Sequence, residues 1–218
     1  MSTHKRHKKP WPTKDAMQQV YAKQLWGAGT TPFYSGEGSH KEHITAPYVT
    51  AVQAFLSNFD QPPMVCDLGC GDFNVGSQLV AHTAKYFAVD IVPELIAYHK
   101  QTVTDTSVTF LCQDIAKDPL PNADCALVRQ VLQHLSNAEI QAILDKLSQY
   151  AYVILTEHIP NGTFTPNVDI ISGQGTRLKK ESGVDITAAP FEFNAKTQRE
   201  LCCVAESDGL IRTVVYEV

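Results

Sequence analysis

VCDLGCGDFNVG, residues 65–76, is the stretch on which the fold turns. An apolar run leads into Asp67, and two glycines follow at Gly69 and Gly71. Glycine lets a ligand approach the backbone closely, so a glycine pair directly after a strand marks a binding loop. The dinucleotide pattern G-x-G-x-x-G does not fit, because its sixth place falls on Asn74. The Gly-Lys-Ser/Thr ending of a phosphate-cradling loop is missing as well.

Working outward, PMVCDLG reads as a short buried strand, and residues 75–83 read as a helix. KYFAVDIV is a second strand, and PELIAYHKQTV a helix with proline in its first turn. VTFLCQDI is a third strand. ADCALVRQVL begins as a fourth and turns into a helix near Gln130. Residues 136–150 form a helix opened by a capping box, Ser136 with Glu139. AYVILTEH is a fifth strand. Continuous apolar strands alternating with helices predict an α/β fold: a Rossmann-like, doubly wound, mostly parallel sheet with helices on both faces.

Before this core, the spacing predicts helices over residues 13–26 and 47–59, separated by the turn-rich GAGTTPFYSGEGSH. After it, residues 159–195 form a long, weakly periodic insertion. TQRELCCVAES then reads as a helix, with Cys202 and Cys203 packing on it, and IRTVVYEV as a terminal strand. The expected organisation is a disordered basic tail at 1–12, an N-terminal helix and lid loop at 13–44, and one domain at 45–218.

The 218 residues are 44% hydrophobic and 19% charged, an ordinary composition for a globular chain. A net charge of −5 argues against wholesale nucleic-acid binding, and the basic run MSTHKRHKKP reads as a solvated terminus. No stretch approaches the roughly 20 apolar residues of a membrane span. The six cysteines show no zinc spacing and no disulfide pattern, so no metal is expected, and reduced thiols in a cytoplasm fit best.

In a parallel sheet the ligand sits beyond the carboxyl ends of the strands. Three ends carry an aspartate: Asp67, Asp90 and Asp114. This acidic ring disfavours a phosphate ligand and favours a nucleoside with positive charge. Asp90, at the end of strand two, suits the two hydroxyls of a ribose. Asp114 suits an exocyclic amine of adenine.

VCDLGCG, with Asp90 in FAVDI and Asp114 in CQDI, resembles a class I methyltransferase that uses S-adenosylmethionine. The resemblance covers roughly residues 45–158, and Phe73 departs from the family's usual glycine. It implies that Asp67, Gly69, Cys70 and Gly71 form the cofactor loop, with Asp90 on the ribose and Asp114 on the adenine amine. Ile91 and Ile115 would sandwich the ring, and Arg129 and Gln130 would flank the methionine end through backbone groups. Similar N-terminal loops close over the cofactor, which gives Tyr34 and Gly36 a cofactor role.

Methyl transfer is mostly positioning, and a base is needed only for a protonated acceptor. The candidate bases are His134, Glu157 and His158, and Arg177 is a candidate ligand for an acidic acceptor. The absence of an N-P-P-Y tetrapeptide weakens methylation of a base amine or glutamine amide, so a small-molecule acceptor is expected. Two other readings stand beside it: a nicotinamide-dependent oxidoreductase, opposed by Asn74, and a non-catalytic S-adenosylmethionine-binding module.

Overall fold

The computed structural model describes residues 11–218, so the basic run at 1–10 lies outside the described residues. In chain order the elements are α1 (Thr13–Ala22), α2 (Glu42–Leu56), β1 (Met64–Leu68), β2 (Lys85–Asp90), α3 (Pro93–Thr102) and β3 (Val108–Cys112). They continue with β4 (Cys125–Arg129), α4 (Asn137–Leu147), β5 (Tyr152–Ile159), β6 (Thr197–Glu206) and β7 (Gly209–Glu217). Seven strands make one sheet in the order β3-β2-β1-β4-β5-β7-β6.

The first five strands pair in parallel, as their unbroken apolar runs require. Val65, Cys66 and Leu68 of β1 are fully buried, as are Cys125, Ala126 and Val128 of β4. The chain builds outward from β1 to β3, then returns to the other side of β1 with β4. That reversal opens a crevice between β1 and β4 at their carboxyl ends. α4 begins where the capping box places it. Ser136 Oγ accepts from the Glu139 N–H, and the same hydroxyl donates to Glu139 Oε2 at 2.9 Å.

Three local expectations differ from the structure. Residues 75–83 form two short 3-10 turns, Gly76–Gln78 and Val80–His82, rather than a helix. Gly76 is a poor helix former, and the Ser77 and Thr83 hydroxyls donate back to the carbonyls of Asn74 and Val80. α2 starts at Glu42, so Pro47 sits inside it rather than at its start. The helix after β4 is a single 3-10 turn, Leu132–His134.

The largest correction is at the C-terminus. TQRELCCVAES is not a helix: its first ten residues are β6, an edge strand antiparallel to β7. β7 in turn runs antiparallel to β5. Cys202 and Cys203 therefore sit on a strand, and the terminal pair of strands is complete. A register shift between Glu200 and Cys202 breaks the alternation that marks a strand. Exposure of Thr197–Glu200 removes the apolar face as well. No helix among the described residues is long and apolar enough to cross a membrane.

Candidate methyl-transfer site

A cavity of about 380 Å³ lies at the carboxyl ends of the parallel strands. Its floor is the loop after β1. Gly69 and Gly71 both have positive φ, at 91° and 53°. A side chain at Gly69 would collide with Val131, and one at Gly71 with the Ser35 hydroxyl. Glycine is therefore demanded twice over, by backbone shape and by space.

Phe73, at the place of the missing glycine, also has positive φ (63°), in the region where non-glycine residues are strained. Its ring is buried against Tyr86, His99 and Phe110, with centroids at 5.0–6.0 Å. The aromatic cluster holds the left-handed turn that glycine would otherwise supply. His99 joins it by stacking on Phe110 and donating through Nε2 to the Gly71 carbonyl at 2.8 Å.

Each strand-end carboxylate lines the cavity. Asp90 is buried. Its Oδ2 accepts from Gly71 N–H at 3.1 Å and its Oδ1 from Val92 N–H at 3.0 Å. Burial raises its pKa, against the pull of those two N–H donors. Asp67 accepts from the Tyr86 hydroxyl at 2.9 Å, and burial pushes its carboxyl up to about 7. Asp114 accepts from Ala116 N–H and pairs with exposed Lys117 at 2.7 Å. Ile91, Ile115, Cys70 and Gln130 line the same cavity. Cys70 Sγ points back toward the Gly71 carbonyl, and burial raises its thiol pKa.

The N-terminal segment closes the top. Asp72 and Ser35 tie the loop after β1 to residues 33–40, and Tyr21 of α1 bonds Ser35 Oγ at 3.0 Å. Gly36 lines the cavity, but Tyr34 does not. Tyr34 turns outward and stacks on His40 at 4.4 Å, because the neighbouring backbone at Gly27 and Gly29 packs against its ring.

Arg129 differs from its expected backbone role. Its half-buried guanidinium donates to the Gly38 carbonyl and to Ser39 Oγ, and lies 4.9 Å over the Tyr48 ring. Two buried polar atoms of cavity-lining residues have no protein partner, Arg129 Nε and Gln113 Oε1.

The remaining wall comes from α1, the turn after β4 and the insertion. Trp26 packs on His134 with centroids 5.0 Å apart. Gln174 of the insertion donates to the Leu25 carbonyl at 2.9 Å. Glu139 accepts hydroxyls from Thr13 of α1, Ser136 and Ser172 of the insertion, drawing three segments together.

The candidate bases and the candidate acceptor ligand fare differently. His134 reaches the cavity, but both ring nitrogens are engaged. Nδ1 donates to the Gly175 carbonyl at 3.1 Å, and Nε2 faces the Gln133 amide at 3.2 Å. Burial pushes its pKa down to about 4, so it is neutral at physiological pH. Glu157 and His158 do not line the cavity. β4 ends opposite Thr156, so both residues lie beyond it, paired with Arg212 and Ile211 of β7. Glu157 Oε1 instead accepts the Leu132 N–H from beneath, and burial raises its carboxyl to about 8. His158 faces Asp208 at 3.3 Å.

Arg177 is 1% exposed and cannot serve as an acceptor ligand. Its guanidinium donates to the carbonyls of Val168, Leu132 and Leu135 and to Asn137 Oδ1, at 2.7–3.0 Å. It fastens the insertion to the start of α4. No metal-binding group of three or more His, Cys, Asp or Glu exists among the described residues.

The sheet order, with its antiparallel penultimate pair, and the carboxyl-end cavity define a class I methyltransferase fold. Residues 65–151 match the family model described as a methyltransferase domain. No curated protein matches the chain. Among solved structures, it resembles the N-methyltransferase NodS from Bradyrhizobium japonicum WM9 in complex with S-adenosyl-l-homocysteine. That match has 14% identity and a TM-score of 0.66, and covers 93% of this chain and 98% of that one. Magnesium protoporphyrin IX methyltransferase from Synechocystis PCC 6803 with bound SAM matches at 16% identity and TM-score 0.56, over 97% and 100%. Human N-acetylserotonin methyltransferase in complex with SAM matches at 16% and 0.61, over 95% of this chain. The chain spans 60% of the length of that human enzyme.

Proposed function

We propose that this chain transfers the methyl group of S-adenosylmethionine to a small-molecule acceptor within the cavity. The observation that carries the reading is the grouping of Asp67, Asp90 and Asp114 around the Gly69–Gly71 loop, in a cavity whose lining holds no lysine. That field suits a cationic sulfonium nucleoside and opposes a pyrophosphate. The methyl donors and products bound in two of the similar structures support it.

In this reading Asp90 and the backbone of the Gly69–Gly71 loop hold the ribose, and Asp114 with Ile91 and Ile115 holds the base. The bound donor supplies an already activated methyl, so the protein's work is alignment and exclusion of water. α1, the 33–40 loop and the insertion provide that enclosure. At about 380 Å³ the cavity stands near the lower end of the ~300–1,000 Å³ range of ligand pockets, which favours a small acceptor.

Calorimetry with S-adenosylhomocysteine and NADH side by side tests the reading. Binding of the homocysteine nucleoside alone is the expected result. Binding of NADH alone would return the chain to the oxidoreductase class.

A further inference from the structure

Three features of the cavity restrict the acceptor more tightly than its size does. The first is charge. The lining contains six carboxyl groups, those of Glu37, Asp67, Asp72, Asp90, Asp114 and Glu139, against one guanidinium, Arg129. That guanidinium is committed to the Gly38 carbonyl and Ser39 hydroxyl. An acceptor bearing carboxylate or phosphate would enter this field without a counter-charge.

The second feature is proton bookkeeping. The wall formed by α1, the turn after β4 and the insertion carries two groups able to take a proton, His134 and Glu139. Both His134 nitrogens already have partners. Glu139 already accepts three hydroxyls, from Thr13, Ser136 and Ser172. A nucleophile that must shed a proton, such as an alcohol, a phenol or an aliphatic ammonium, meets no unengaged base, because the other carboxylates of the lining are held too: Glu37 by Lys41, Asp67 by Tyr86, Asp72 by Ser35 and His40, Asp90 by two N–H groups and Asp114 by Lys117. The third feature is shape: the same wall presents the Trp26–His134 aromatic pair, which suits a flat ring.

Resting on the methyl-transfer reading, we propose that the acceptor is an uncharged nitrogen heteroaromatic whose pyridine-type ring nitrogen is methylated, with its ring seated against Trp26. The nitrogen lone pair forms the new N–C bond as the methyl's C–S bond breaks and its electron pair passes to sulfur. No proton leaves. The positive charge moves from sulfur to nitrogen, so the surrounding carboxylates face one cation before and after the step. A neutral thioether satisfies the first two restrictions, and the aromatic wall favours the heteroaromatic over it.

The test is turnover of quinoline, 2-naphthol and 2-naphthoate, probes of similar size, by the full chain with S-adenosylmethionine, read by mass spectrometry of the methylated product. N-methylquinolinium is expected to form with a kcat/KM about tenfold or more above that of the ether or ester. Equal or better turnover of the naphthol or naphthoate overturns the proposal. So does the absence of N-methylquinolinium from protein that binds S-adenosylhomocysteine, and in that case the methyl-transfer reading survives. Failure to bind S-adenosylhomocysteine at all removes both. Trp26→Ala should raise the KM for quinoline about fivefold or more while the affinity for S-adenosylhomocysteine holds. An unchanged KM removes the ring from that wall.

Discussion

Ser35 and Asp72 bond each other twice. The Asp72 N–H donates to Ser35 Oγ at 2.8 Å, and the Ser35 N–H donates to Asp72 Oδ2 at 2.7 Å. The pair joins the loop before α2 to the loop after β1, across 37 residues of chain. His40 Nε2 lies 2.7 Å from the same carboxylate oxygen. The roof of the cavity is therefore fastened to its floor by one reciprocal clasp.

Asp72→Ala should release that clasp. With the Ser35 N–H left unpaired, unfolding in urea is expected to show a loss of about 1–3 kcal/mol. S-adenosylhomocysteine affinity should fall with it. Ser35→Ala removes two bonds, to the Asp72 N–H and to the Tyr21 hydroxyl, and should cost about 1–3 kcal/mol. A pair of variants that both unfold like the parent would show that the clasp carries no stability.

Asp90 does two jobs. Its carboxylate orders Gly71 and Val92, and under the proposed function it also meets the ribose. Asp90→Asn retains an acceptor for one N–H and should fold. Its affinity for S-adenosylhomocysteine should drop by about 1–3 kcal/mol, the range for a hydrogen bond to a charged group. Unchanged affinity by calorimetry would remove Asp90 from the site.

Asp67 predicts a pH dependence. Burial raises its carboxyl from the ordinary 3.8 to about 7. Below that value the group is neutral, and above it the group is an anion beside the cavity. A cationic ligand stabilises the anion, so S-adenosylmethionine should bind more tightly as pH rises through about 7. The uncharged product should gain less. The ratio of the two affinities, measured between about pH 6 and about pH 8, should rise in the parent and stay flat in Asp67→Asn. A rise that persists in the variant assigns the effect to another group.

Arg177 should behave as a structural fastener. Arg177→Met strands the carbonyls of Val168, Leu132 and Leu135. A loss of about 3 kcal/mol or more is expected from calorimetric unfolding. Arg177→Lys should recover little, because a point-like ammonium cannot span acceptors arranged around a planar fork. Full recovery by lysine would show that charge alone matters at this position.

Phe73→Gly poses a balance of two terms. Glycine relieves the left-handed backbone by about 1 kcal/mol, while loss of the buried ring costs about 3–5 kcal/mol. The variant should be destabilised on balance. If it is more stable than the parent by thermal unfolding, the backbone strain outweighs the packing.

The five parallel strands were legible from residue 64 to residue 158, because burial on both faces demands unbroken hydrophobic runs, but the helix expected between β1 and β2 resolved into two 3-10 turns. The strand-end aspartates were legible for the same reason: the end of a buried run is where polar side chains resume. Local signals also placed α3 and α4, through Pro93 and through Ser136 with Glu139. Where those signals weakened, the reading failed. β6 has an exposed face and a register shift, so its residues mimic a helix, and only pairing with β7 makes them a strand.

What the amino-acid order determined by itself was the parallel core and the acidic, glycine-lined crevice, because both follow from spacing along one segment. What tertiary structure alone decided was which side chains reach that crevice. Glu157 and His158 stand at a strand end in sequence, yet β5 outruns β4 and carries them past the cavity. Arg177 reads as a free cation, yet carbonyls from two separate parts of the chain, the insertion and the turn after β4, enclose it. Thr13, Trp26 and Gln174 carry no motif and still shape the wall, since contacts between residues more than a hundred positions apart leave no periodic trace.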